Sequence, residues 1–168
     1  ALATHGIRAT DERRPALSVL SSVLGGGMSS RLFQEIRERR GLAYSVYSFA
    51  SAYADAGMFG MAAGTSPAHV AEVAGLMTTE LSSIAHQGIT AEELSRTRGN
   101  IAGASALALE SSDARMMRLG RSELSTGEFV DRDEGLQRLS GVDLGDVQSL
   151  AQELLSTPLS AVVVGAVK

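Results

Sequence analysis

The sequence predicts a two-layer α+β sandwich, a mostly antiparallel sheet covered by helices. Period-two or continuous apolar stretches stand at the start, middle and end of the chain, and helical-period segments cluster between the middle and the end. No internal repeat, low-complexity tract or linker divides the 168 residues, so a single domain over residues 1–168 is expected.

In order, Ala1 to Ile7 reads as a strand. Asp11 is the expected cap of the first helix, with Pro15 tolerated in its first turn. Leu17, Leu20, Val23 and Leu24 recur at helical spacing until Gly25, Gly26 and Gly27 end the run. A short amphipathic helix follows with Leu32, Phe33 and Ile36 on one face, then a turn at Gly41 and a strand from about Ala43. From Tyr44 the period becomes two, which places Tyr47, Phe49 and Tyr53 on one face and Tyr44, Val46 and Ala50 on the other. Asp55 and Gly57 mark a turn into a second strand, Met58 to Ala63, making an antiparallel hairpin.

Thr65-Ser66-Pro67 opens a long helix through Val73, Met77, Leu81 and Ile84 that stops at Gly88. Thr90 and Glu93 form a capping box for the next. Ser112 or Asp113 is expected to cap a helix carrying Met116, Met117 and Leu124. A shorter piece around Leu136 and Leu139 precedes Asp143, the cap of a last helix that Pro158 ends. Leu159 to Val164 reads as a buried central strand closing the sheet. The six methionines are expected to fill the core.

Composition limits the function classes. A chain of this length with 44% hydrophobic residues can bury a sizeable core. Its net charge of -4 argues against a dedicated nucleic-acid binder, which needs a basic excess to replace phosphate counterions. The absence of cysteine excludes disulfides, thiolate zinc ligands and a cysteine nucleophile. No apolar run approaches the roughly 20 residues that span a bilayer. Ala1 to Thr10 reads as the interior of a longer protein.

Two long polar groups flank the Gly41 turn. Arg37 near the helix end and Tyr44 near the strand start can both donate hydrogen bonds to an oxygen bearing negative charge. Two structural readings stand beside that one: Arg37 capping helix carbonyls, and Tyr44 as a half-buried strand aromatic. Gly25-Gly-Gly-Met-Ser-Ser-Arg lacks the lysine and preceding strand of a phosphate loop, so the glycines read as a break where backbones approach closely. Arg31, Arg37, Arg39 and Arg40, with Glu35 and Glu38 among them, read as a solvated helix face with local salt bridges.

Arg37-Glu-Arg-Arg-Gly-Leu-Ala-Tyr44 resembles the Arg-x6-Tyr pair in the C-terminal, zinc-free half of the inverted-zincin metallopeptidases, the family of pitrilysin, mitochondrial processing peptidase and insulin-degrading enzyme. The likeness continues through Asp11-Glu-Arg-Arg-Pro-Ala-Leu, the Ser45 to Thr65 hairpin, Gly88-Ile-Thr-Ala-Glu-Glu-Leu and Arg118-Leu-Gly-Arg-Ser-Glu-Leu. Zinc in that family is bound by His-x-x-Glu-His on a helix. Here His5, His69 and His86 lie far apart and the motif does not occur. The resemblance therefore implies no metal in this chain, with zinc expected in a missing catalytic half, and no peptidase activity alone. It gives Arg37 and Tyr44 the task of meeting the scissile carbonyl, where a preorganised donor contributes roughly 3–4 kcal/mol. Gly25, Gly26 and Gly27 would touch substrate. The implied partners are an N-terminal zinc-bearing domain or subunit and an extended peptide, with a homodimer also open, in the bacterial cytoplasm or else the mitochondrial matrix. The alternative it leaves is a noncatalytic structural or substrate-binding subunit, like a respiratory-complex core protein.

Overall fold

In the computed structural model, which describes residues 1–127 and 129–166, four strands form one antiparallel sheet. They are β1 (Leu2–Gly6), β2 (Ala43–Ala52), β3 (Gly57–Thr65) and β4 (Ser160–Ala161), in the order β2-β3-β1-β4. The helices are α1 (Arg14–Gly25), a π-helix (Phe33–Arg39), a 3-10 turn (Pro67–His69) leading into α2 (Val70–Gln87), α3 (Ala91–Ala108), α4 (Ser112–Thr126), α5 (Arg132–Ser140) and α6 (Leu144–Ser156). This is the α+β architecture expected.

Register decides which side chains meet the helices. Leu2 pairs with Met61 and Thr4 with Phe59, while Ser48 and Ala50 of β2 oppose the same two residues. Directly opposed residues share a face, and this one is buried: Phe59 and Met61 have lost nearly all solvent contact. Leu20 and Leu24 of α1, Leu81 and Ile84 of α2, and Val147 and Leu150 of α6 are equally enclosed. Burial of each such side chain contributes about 1.5–3 kcal/mol. The other face carries Ala3, His5, Tyr47 and Phe49 above Gly60, Ala62 and Gly64.

Gly25 shows why α1 ends in glycine. A Cβ there would stand 2.2 Å from the Ser48 backbone nitrogen of β2, so only a bare backbone permits the approach. Ser48 Oγ donates to the Ser21 carbonyl at 2.7 Å and lies 3.0 Å from Ser21 Oγ, tying α1 to β2.

Several expectations are corrected. Asp11 does not cap α1, whose N-cap is Arg13; its carboxylate accepts from the Arg13 amide at 2.8 Å and closes the turn before the helix. Ser111, not Ser112 or Asp113, caps α4, accepting from the Ala114 amide. Leu159 to Val164 is not a buried central strand. Only Ser160 and Ala161 form strand, at the sheet edge beside β1; Val162 still exchanges backbone hydrogen bonds with Ala1 at 2.9 and 2.7 Å, and Val162, Val163 and Val164 are exposed. β4 is the last strand of the sheet, so this run has a neighbouring strand on one side only. Tyr53 lies in the hairpin turn rather than on a strand face, with its amide bonded to the Ala56 carbonyl. Only Met61 and Met77 of the methionines are core residues; Met28, Met58, Met116 and Met117 are exposed.

Candidate functional site

The site is built on the segment from Ser30 to Ala43. Ser30 closes the turn after the glycines, its hydroxyl donating to the Gly27 carbonyl at 2.6 Å. Leu32 and Ile36, four residues apart, are sealed in the core and fix the rotation of the helix. The turns between them are π-wound, a form that recurs at functional sites. Gly41, at φ 63°, reverses the chain in the left-handed region that glycine adopts without strain. Its amide returns to the Arg37 carbonyl at 3.1 Å, and that of Leu42 to the Ile36 carbonyl at 2.9 Å. Tyr44 is then two residues, about 7 Å of extended chain, beyond a backbone bonded to the Arg37 turn.

A β-bulge re-aims Tyr44. Ala43 opposes Thr65 and Ser45 opposes Gly64, so Tyr44 is the extra residue of β2. Strict alternation expects it beside Val46 and Ala50 on the buried face. The bulge turns it to the other face, where it is 77% exposed. Gly64 makes the room: a Cβ there would lie 2.5 Å from Tyr44 Cζ and 2.7 Å from its hydroxyl oxygen. Among the described residues the hydroxyl has no hydrogen-bond partner, and Tyr44 is not the half-buried aromatic of the structural reading.

The four arginines divide. Arg39 and Arg40 pair with Glu35 at 3.1 and 2.7 Å. Arg31 reaches across the fold, donating to both carboxylate oxygens of Glu93 at 2.7 and 2.8 Å and to the Gly88 carbonyl at 3.2 Å. Arg37 has no carboxylate or carbonyl partner among the described residues. Its guanidinium stands 4.8 Å from the centroid of the Phe33 ring, a cation–π contact that leaves its N–H groups available. It does not cap the helix.

Charge holds this helix in place. Glu93 also accepts from the Thr90 amide in the capping box. The Arg31 guanidinium, with that bond, holds the Glu93 carboxyl below its ordinary range. Arg40 and Arg39 do the same for Glu35. Burial pushes the nearby Glu80 carboxyl up. The glycines split: Gly25 is buried against β2, Gly26 lies over Ser22, and Gly27 has open space around it. Sequence reasoning singled out Arg37 and Tyr44; it passed over Gly64 and read Arg31 as part of a solvated face with local salt bridges, not as the partner of Glu93. A glycine inside a strand is the signal for the former; nothing local reveals the latter.

The family model for the peptidase M16 inactive domain matches residues 1–101. This chain belongs to the peptidase M16 inactive domain family. An uncharacterized zinc protease of Streptomyces coelicolor is 46% identical over 99% of the chain and 36% of its own length. The crystal structure of an M16 inactive domain from Pseudomonas fluorescens matches with a TM-score of 0.80 at 25% identity, over 91% of this chain and 37% of that one. A chain of Complex III2 from Candida albicans shares the fold at TM-score 0.78 and 17% identity, covering 90% and 38%. This M16 inactive domain spans little more than a third of the length of the curated relatives it matches.

Zinc, which the relatives' description carries, does not fit the residues of this M16 domain. His5 lies in β1, His69 stands 3.6 Å from Glu72, and His86 Nδ1 is 2.8 Å from the Ser82 carbonyl oxygen. Among the described residues no group of three or more histidine, aspartate or glutamate side chains could hold a metal.

Proposed function

We propose that this domain is the zinc-free half of a metalloendopeptidase that encloses an extended peptide and presents Arg37 and Tyr44 to its scissile carbonyl. The observation that carries the reading is the pair's availability. Among the described residues, neighbouring arginines are bound to carboxylates while Arg37 has none, and the Tyr44 hydroxyl, turned out by a bulge, has no partner. In hydrolysis, charge grows on the carbonyl oxygen as water attacks. Tyr44 would donate its hydroxyl proton to that oxygen in a hydrogen bond; Arg37 would hold the peptide backbone and orient the phenol. The metal is expected in the part of the protein outside this chain. Gly27, open and exposed, is the glycine best placed to touch substrate.

The fold is shared with a Complex III chain, so fold alone does not separate a peptidase half from a noncatalytic subunit. Hydrolysis of an extended peptide by the longer protein does. Arg37→Gln is expected to lower kcat with an unchanged thermal midpoint. A longer protein that never cleaves peptide would favour the noncatalytic subunit.

A further inference from the structure

We infer that the outward face of α4 is the surface on which the rest of the longer protein, its expected zinc-bearing domain, docks against this one; the inference rests on the function proposed above. α4 is turned the wrong way round for a domain that stands alone. Its inward stripe is Ala114, Arg118, Ser122 and Ser125, all only partly enclosed, and no residue of the helix is buried. Its apolar residues point out. Met116, Gly120 and Leu124 follow one another at four-residue intervals with Met117 alongside, and Met116, Met117 and Leu124 are 61%, 48% and 89% exposed. Phe129, under the Arg118 guanidinium, and Leu107 at the end of α3 add exposed apolar surface on the adjoining segments.

A 15-residue helix draws most of its stability from packing an apolar face. A contiguous exposed patch of this kind marks a binding surface. The same 46% identity that covers 99% of the chain, this helix included, occurs in a relative for which it is only 36% of the length. Most of such a protein is therefore available to cover α4. A tethered domain acts at an effective concentration on the order of millimolar for a short linker, which favours it over a second copy arriving from solution.

Methionine oxidation in the longer protein tests the assignment without using activity. Hydrogen peroxide converts exposed thioethers to sulfoxides, and mass spectrometry reads each site. Met61 and Met77 serve as closed standards and a short methionine peptide as the open one. Met116 and Met117 are expected to react several-fold more slowly than the peptide, at a rate independent of protein concentration. Leu124→Glu, a change at a side chain this domain does not bury, is expected to release Met117 toward the peptide's rate. Free reaction of both methionines in the unsubstituted protein would overturn the docking, as would continued protection of Met117 in Leu124→Glu. Protection lost on dilution would assign the face to a second copy and overturn it too. Because no substrate is present, docking and the roles of Arg37 and Tyr44 fail separately.

Discussion

The Tyr44 ring occupies the space where a side chain at Gly64 would stand, 2.5 Å from the place of its Cβ. The colliding atoms are the far end of a side chain that can swing away. Gly64→Ala is therefore expected to fold, with stability changed by less than about 1 kcal/mol, while displacing the phenol. In the longer protein, peptide turnover should fall although the thermal midpoint barely moves. A variant that turns over peptide at the unsubstituted rate would show that Tyr44 needs no seat on Gly64.

The glycine run should split under alanine substitution. Gly25→Ala sets a Cβ 2.2 Å from the backbone of β2, and forcing α1 off the sheet costs about 1–3 kcal/mol. Gly27→Ala meets nothing and is expected to leave the unfolding midpoint unchanged. Denaturant melts of the two variants compare them, and equal midpoints would contradict the packing described.

Acid should loosen the helix that carries Arg37. Glu93 has a lowered folded pKa because Arg31 binds its charged form. Its stabilisation is therefore present above the ordinary glutamate range and lost as pH falls through the lowered value. Glu93→Gln is expected to cost about 2 kcal/mol at neutral pH and to flatten stability on the acid side, measured by urea melts from pH 7 downward.

Glu80 runs the other way. Burial raises its folded pKa, so its ionised form disfavours the fold, and the relative advantage of the protonated form is lost as pH rises through that value. Glu80→Gln should be slightly more stable than the unsubstituted protein at neutral pH. Equal or lower stability there would contradict the assignment.

What was legible in the sequence is local. The Thr90–Glu93 box, the Asp143 cap, the Gly41 turn and the hairpin each depend on residues a few positions apart. Arg37 and Tyr44 were singled out by the family resemblance around that turn; their spacing alone left the structural readings open. The face of Tyr44 was misread because a bulge is an event between two strands, which alternation along one strand does not record. Val162 to Val164 look buried by composition, but a strand's place in a sheet is topological. For α4, helical spacing identifies an apolar side without saying whether it points inward, and Met116 and Met117 point out. Arg31 joins Glu93 across 62 residues of sequence, a distance no local pattern spans.

The central claim is that Tyr44 donates to the carbonyl oxygen while Arg37 holds the peptide and orients the phenol, and a double-mutant cycle on peptide hydrolysis by the longer protein tests it most directly. Tyr44→Phe is expected to lower kcat by about 10²–10³ with folding intact. Adding Arg37→Gln should then cost less than Arg37→Gln does alone, because the part of the guanidinium's task that orients the phenol is already lost. Unchanged turnover in Tyr44→Phe, or losses that simply multiply in the double variant, would contradict the account.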